Sequence, residues 1–168
     1  MLVLQSLIPS LAIVAAVGAG LMAGLLFAFS NFVMKALLQL SAASGLEAMQ
    51  RINVAIINPL FLLLFIGTAL VSLAILIGFI GSNQSAYRLW LIIGASCYLV
   101  GVTGITAVFN IPLNNSIANL DARSVEHLWP NYVSAWLRWN HLRCALAFAA
   151  STCFTMGIFK LTSNGAGH

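Results

Sequence analysis

The residues best suited to chemistry form a stripe late in the chain. They are Tyr132, Trp136, Trp139, Asn140 and Arg143, spaced so that on a helix with 100° between residues they share one face. The aromatic rings could wall a slot for a flat apolar molecule, while the amide and the guanidinium could hold developing negative charge. The alternative is an aromatic belt at a membrane surface, where Trp and Tyr are common and Arg reaches the headgroups.

The elements that carry this stripe must lie in a membrane, because the composition suits no other solvent. Of the 168 residues, seven are Lys or Arg and three are Asp or Glu, while 61% are hydrophobic. A soluble domain is about half apolar and a quarter charged. The composition therefore excludes a soluble enzyme and a disordered chain. Because the cations are scattered and form no basic run, it also excludes a nucleic-acid-binding protein.

Four stretches are long and apolar enough to cross a bilayer, which takes about 20 predominantly apolar residues. They predict spans at residues 7–34, 59–80, 89–109 and 141–159. Each must be a helix, because a crossing backbone has to satisfy its own hydrogen bonds. We therefore predict an all-α integral membrane four-helix bundle with antiparallel up-down topology, forming one domain over residues 1–168. A multi-pass protein of this kind is expected in the cytoplasmic membrane of a bacterium.

Two local signals refine these boundaries. Pro112 disfavours the α-helical conformation at Ile111, which predicts that the third helix ends or kinks near Asn110. Residues 81–85 have the composition of a short turn between the second and third spans.

An up-down bundle brings the first and third loops to one end, which we call the polar end. Nine of the eleven asparagines fall there: Asn31, Asn53, Asn58, Asn110, Asn114, Asn115, Asn119, Asn131 and Asn140. Solubility does not explain this asymmetry, because both ends of a bundle meet water. The polar end is therefore the predicted site.

Arg143 is the residue least expected in lipid, since an intramembrane charge costs upwards of ~2.5 kcal/mol and normally faces a cavity or a partner. No acidic residue lies in a predicted span, because Glu47, Asp121 and Glu126 are all in loops. Arg143 could bind asparagine side chains, free carbonyls near Pro112, a lipid headgroup or an anionic ligand. A purely anchoring role is the alternative.

The ligand pattern predicts no metal and no cofactor. The three histidines have no metal-ligand spacing, and the spans contain no pair of carboxylates for a di-iron centre. His141 is the only residue near the stripe that titrates close to neutral pH, so it is the candidate general base by elimination. Its position off the stripe on the helical wheel counts against this role.

Two segments resemble the signature of a known family, the anthrone oxygenase-like membrane proteins. The first is Asn110-Ile-Pro-Leu-Asn114-Asn115, and the second is Trp136-Leu-Arg-Trp-Asn140-His-Leu-Arg143. Residues 24–37 and 49–59 resemble the family's first half, so the likeness covers nearly the whole chain. Lys35 stands where relatives often have Pro. Asn115 stands where many have Asp, which removes a possible carboxylate base.

The resemblance implies a four-helix membrane protein. Fungal and actinobacterial relatives oxidise anthrones to anthraquinones with molecular oxygen, without a metal or organic cofactor. For such chemistry the candidate catalytic residues are Arg143, Asn140, Asn110, Asn114 and His141. The candidate substrate-binding residues are Trp136, Trp139, Tyr132, Asn58 and Asn31, and the expected partner is an apolar aromatic small molecule.

Other functions stay open at this point. A non-catalytic protein could hold membrane lipid or quinone at the polar end, or serve as an accessory subunit. A transporter or channel subunit is disfavoured, because the spans contain no acidic residue and no break.

The sequence also bears on assembly and orientation. The Gly20-x-x-x-Gly24 motif predicts helix packing within the bundle, with a homo-oligomer interface as the alternative. Five of the seven Lys and Arg residues flank the first and third loops, which favours these loops in the cytoplasm. If Lys35 and Arg143 serve a pocket, three cations remain at this end against two at the other, and the orientation in the membrane is then undecided.

Overall fold

The protein forms a helical membrane bundle in a computed structural model, which describes residues 2–79, 86–120 and 125–165. Four helices are long and apolar enough to cross a membrane: Ser6–Leu38, Pro59–Gly78, Tyr87–Ile117 and Val125–Ser163. We call them the first to fourth spans. A fifth helix, Ala42–Ala55, joins the first span to the second and is called the connecting helix. The predicted all-α membrane class is confirmed, and the predicted turn at residues 81–85 lies outside the described residues.

The first and third spans contain π-helical turns. In the first, an α-helix over Leu2–Ala28 is followed by a π-helix over Phe29–Val33 and an α-helix over Met34–Leu38, so the helix extends beyond the predicted end at residue 34. In the third, an α-helix over Ala86–Ser96 precedes π-helices over Cys97–Gly104 and Thr106–Asn110 and an α-helix over Ile111–Ile117. Such turns are rare and often mark functional sites.

The prediction that the third helix ends or kinks near Asn110 was wrong about its end, because the helix continues to Ile117. The N–H of Ile111 donates to the carbonyl of Thr106, five residues earlier, which is the wider spacing of a π-turn. Pro112 then falls in the first turn of the next α-helical segment. A missing N–H is tolerated there.

The fourth helix, Val125–Gly165, begins well before the predicted start at His141. Its first half carries polar and aromatic residues, which lower the average hydropathy although several of them face the protein. The stripe therefore lies within the span rather than at its edge. The second span begins at Pro59 as predicted, and Asn58 caps it by accepting a hydrogen bond of 3.0 Å from the N–H of Phe61.

Small residues bring the fourth span close to the first. Ser151 Oγ donates to the carbonyl of Ala16 at 2.9 Å, and Cys144 Sγ lies 3.7 Å from the carbonyl oxygen of Ala23. These contacts run in opposite order along the two helices. The antiparallel order of the whole bundle stays a prediction.

The connecting helix covers the polar end. Ser41 caps its N-terminus, where the Oγ of Ser41 accepts a hydrogen bond from the N–H of Ser44. Its Gln50 Nε2 donates to the carbonyl of Ile117 at 2.6 Å, which ties it to the end of the third span. Below it lies a buried apolar cluster: Met34, Leu37, Leu46, Met49, Ile117, Val125, Trp129, Tyr132, Val133 and Trp136. This helix, which the sequence analysis did not predict, closes the bundle over the stripe.

Glycine positions give a stability prediction with an internal control. A Cβ at Gly101 would lie 2.6 Å from Leu146 Cβ on the fourth span, whereas a Cβ at Gly24 would meet nothing within 4 Å. We expect Gly101→Ala to destabilise the protein by about 1–3 kcal/mol through overpacking. Gly24→Ala should be neutral. Thermal unfolding in detergent measures both, and equal losses in the two variants would contradict the packing.

The two glycines of the Gly20-x-x-x-Gly24 motif have different surroundings. A Cβ at Gly20 would approach Ser151 Oγ to 3.2 Å, so this glycine packs within the bundle as predicted. Gly24 is exposed and makes no such contact. The intrabundle interpretation was therefore wrong for Gly24.

Candidate functional site

A cavity of about 360 Å³ lies inside the bundle, below the connecting helix. It falls within the usual size range of small-molecule sites. Every span and the connecting helix contribute to its wall. Apolar side chains form most of the lining, and the polar members are Asn53, Thr106, Asn110, Asn114, Asn140 and Arg143. The polar groups come mainly from the third and fourth spans, so the cavity has a polar side and an apolar side.

Arg143 is the centre of the polar side and is only 7% exposed. Its Nη1 donates to Thr106 Oγ1 at 3.0 Å, and its Nη2 donates to Asn140 Oδ1 at 2.7 Å. The guanidinium carbon lies 5.5 Å from the centroid of the Trp136 ring, in cation–π range. These neutral partners fix the position of the cation without cancelling its charge.

No carboxylate compensates Arg143 within the described residues. Glu47 pairs with Arg51 at the surface, at 2.7 Å, and Glu126 is exposed. Arg143 Nε is buried and has no hydrogen-bond partner in the described part of the chain. A buried cation with spare donor capacity on a cavity wall is suited to binding an anion.

Asn140 holds the guanidinium in place. It is fully buried, and its Nδ2 donates at 2.8 Å to both the carbonyl of Leu26 and the hydroxyl of Ser30 on the first span. Its oxygen is thereby turned towards Arg143. On the third span, the Thr106 hydroxyl donates to the carbonyl of Val102 at 2.6 Å, which leaves its oxygen free to accept from Arg143.

Asn110 is the least satisfied polar residue of the cavity. It is 1% exposed, yet neither Oδ1 nor Nδ2 has a hydrogen-bond partner among the residues described. Leaving such a group unpaired costs about 1–3 kcal/mol. Asn110 ends the π-helical turn Thr106–Asn110, one helical turn from Thr106 on the same wall. An amide held in this state beside a cavity is suited to a polar ligand.

Asn114 links the third span to the fourth. Its Oδ1 accepts hydrogen bonds of 3.0 Å from both the Tyr132 hydroxyl and Trp136 Nε1. Trp136 lines the cavity, whereas Tyr132 does not. Asn114 therefore orients one aromatic wall directly, and Tyr132 supports this arrangement from behind.

The structure thus brings five of the ten proposed site residues to the cavity wall: Asn110, Asn114, Trp136, Asn140 and Arg143. Trp139 is placed elsewhere, stacked on Phe109 with ring centroids 3.6 Å apart. A stripe on one helical face can divide in this way, because the fourth span contacts two neighbouring spans at once. Asn58 caps the second span and does not line the cavity.

Asn31 and His141 are also outside this cavity. Both are exposed and line a separate groove between the first and fourth spans. His141 Nδ1 lies 2.9 Å from Ser30 Oγ. The structure therefore separates the proposed general base from the polar side of the cavity, in keeping with its position off the stripe.

Two polar lining residues, Thr106 and Asn53, were not among the proposed site residues. Thr106 could have been found from its spacing, because it precedes Asn110 by four residues and so shares a helical face with it. Asn53 lies on the connecting helix, which has too few apolar residues to be recognised as a span from sequence. Its place at the cavity could therefore not be predicted.

The sequence profile of a family described as anthrone oxygenase matches residues 49–153, which is more than half of the chain. The chain belongs to the anthrone oxygenase family. No match is found among curated proteins or among solved structures.

The matched region of the chain carries the polar side of the cavity. It includes all six polar lining residues of this anthrone oxygenase family member, from Asn53 to Arg143. Among the described side chains, no group of three or more His, Cys, Asp or Glu is placed to hold a metal ion. The polar chemistry of the cavity comes from amides, a hydroxyl, an indole and one guanidinium.

Proposed function

We propose that this protein binds a flat, ionisable aromatic molecule of the anthrone class in the cavity and oxidises it with O2. The reaction would need no metal or organic cofactor and would take place in the cytoplasmic membrane of a bacterium. The observation that carries this proposal is the pairing of Arg143, a buried cation with neutral partners, with Asn110, an unpaired buried amide, on one wall. Membership of the anthrone oxygenase family supports it.

The protein's main contribution to the proposed reaction is a fixed positive charge beside the oxygen of the substrate. An anthrone becomes reactive towards O2 when it loses a proton and its negative charge spreads onto the carbonyl oxygen. A fixed cation favours this ionised form, because an opposite charge nearby lowers the pKa of an acid. Arg143 and Asn110 would donate to the oxygen, while Trp136 and the apolar wall would hold the ring system.

The remaining steps follow from the electrons of the bound anion. One electron passes to O2, and the radical and superoxide combine to form a C–O bond. The hydroperoxide anion takes up a proton, and loss of water leaves a second carbonyl. Overall, anthrone and O2 give anthraquinone and water. O2 partitions into apolar interiors, which suits a cavity within the membrane.

The proposed proton transfer differs from the one expected from sequence. No His, Asp or Glu lines the cavity in the described part of the chain. We therefore assign the acidity to the substrate itself, strengthened by Arg143, with the proton leaving to water. This assignment replaces the base role of His141.

The lack of a lining base also favours a second candidate function, in which the cavity holds a quinone or a lipid without turnover. Purified protein in lipid nanodiscs distinguishes the two. Our proposal expects O2 consumption with anthrone, one molecule of anthraquinone formed per O2, and no loss of rate on adding a chelator. Tight binding of anthraquinone with no O2 consumption above that of empty nanodiscs would support the second candidate and contradict the first.

A further inference from the structure

The cavity wall is closed on three sides and open on one. Lining residues from the first span, the connecting helix and the fourth span are buried or half-buried, and Met22, Met49 and Trp136 are among the buried ones. On the opposite side, Ile57 in the loop before the second span lines the cavity and is 68% exposed. Leu62 and Ile66 of the second span also line it and are 36% and 48% exposed. Ile111 of the third span also lines it and is 47% exposed. The opening therefore lies between the second and third spans.

Beyond this opening, a hydrogen bond joins the second and third spans. The Tyr98 hydroxyl donates to the carbonyl of Phe65 at 3.2 Å, and Tyr98 itself is fully buried. Nearer the polar end, the third span turns through Thr106–Asn110, and the space between the two spans becomes the cavity. The bridge from Tyr98 to Phe65 thus forms the deep edge of the opening.

The opening reaches the hydrocarbon region of the membrane. The second span starts at Pro59, and Ile66 follows seven residues later, about 10 Å along a helix that rises 1.5 Å per residue. The hydrocarbon core is about 30 Å thick, and the second span has the length to cross it. Exposed side chains near Ile66 therefore face lipid tails rather than water.

The water-facing end is covered instead. The connecting helix lies across it, with Leu46 and Met49 packed into the buried cluster below. Gln50 fastens this helix to the end of the third span. A molecule arriving from water through the connecting helix would have to displace these packed side chains. A molecule dissolved in lipid meets a gap lined by aliphatic groups.

We propose that the substrate enters sideways from the bilayer, between the second and third spans, past Leu62, Ile66 and Ile111. This inference rests on the proposed function for the class of ligand, a neutral aromatic molecule dissolved in the hydrocarbon. Its oxygen leads towards Arg143 and Asn110, and it ionises only after arrival. Leu62 and Ile66 therefore control access and the width of ring system admitted, without touching the reacting oxygen.

The test compares two matched pairs on one helix. Leu62→Phe with Ile66→Phe narrows the opening, and Leu73→Phe with Ile77→Phe makes the same exchange at exposed positions that line no described cavity. In nanodiscs, anthraquinone should quench tryptophan fluorescence, and the quenching should be lost in Trp136→Phe. We expect the first pair to slow the association rate about tenfold or more. The control pair should leave it unchanged.

Lipid dilution of the wild-type protein provides a second measurement that does not depend on any variant. With anthraquinone fixed and lipid increased, the association rate should follow the mole fraction of anthraquinone in the lipid. A rate that follows its concentration in water, equal rates in the two variant pairs, or no quenching at all would overturn the inference. Slowed binding by the first pair, together with no O2 consumption from anthrone, would retain the access route and contradict the proposed reaction.

Discussion

Arg143→Met is expected to lower kcat/KM for O2-dependent anthrone oxidation by about 10²–10³-fold, the usual loss when a fixed oxyanion donor is removed. Methionine is unbranched and flexible, so it can fill the space of the aliphatic part of arginine. The buried charge disappears, while Thr106 and Asn140 each lose a donor. The loss of an uncompensated buried charge offsets the cost of leaving the Asn140 oxygen unpaired, so the variant should stay folded. Oxygen consumption and thermal unfolding, measured on the same sample, check both expectations.

Two control variants distinguish the effect of the position of Arg143 from the effect of its charge. Arg138→Met removes an exposed cation from the same helix and should leave kcat/KM unchanged. Arg143→Lys keeps the charge, but one ammonium cannot reproduce the planar fork that binds Thr106 and Asn140 and stacks on Trp136. It should retain more activity than methionine and less than arginine. Full activity in Arg143→Met would remove the proposed anion site.

The sequence predicted the class of fold because hydropathy is decisive in a membrane. It misplaced the limits of the fourth span for the same reason. Polar side chains that face a cavity lower the average hydropathy as much as those that face water, so the part of the helix before His141 was excluded. Near Pro112, the predicted loss of the α-helical conformation at Ile111 was wrong, because Ile111 has φ −62° and ψ −48°. The helix continues without a break through the π-helical turn Thr106–Asn110, which the sequence does not predict.

The site was predictable where a residue's face of its helix was enough. Asn140 and Arg143 follow Trp136 by four and seven residues and share its helical face, and the structure places all three on the cavity wall. The positions of Trp139 and Asn58 are instead set by their contacts. Trp139 stacks on Phe109, and Asn58 accepts a hydrogen bond from the N–H of Phe61. Tertiary contacts of this kind are not encoded in helical spacing. For His141, the helical spacing agrees with its position outside the cavity, and its role as a general base stays a prediction.

Asn110→Leu is expected to change activity and stability in opposite directions. Leucine has nearly the same size, and neither side-chain atom of Asn110 has a partner to lose within the described structure. The substitution removes the cost of an unpaired buried amide, so the free energy of unfolding should rise by about 1–3 kcal/mol. The same substitution removes a donor aimed at the cavity, and kcat/KM should fall by about 10²-fold or more. Oxygen consumption and thermal unfolding measure the two effects.

A purely structural role for Asn110 predicts a different pair of results. If the amide supported the fold, Asn110→Leu would lower stability, and any loss of activity would follow from unfolding. The matched control is Asn115→Leu, an exposed position in the next turn of the same helix, which should alter neither property. Gain of stability with loss of activity at residue 110 alone is expected only if the protein keeps a poorly satisfied amide for its ligand. A site that binds a neutral hydrocarbon would lose nothing in this variant, so the comparison also tests whether the bound molecule presents an oxygen to this wall.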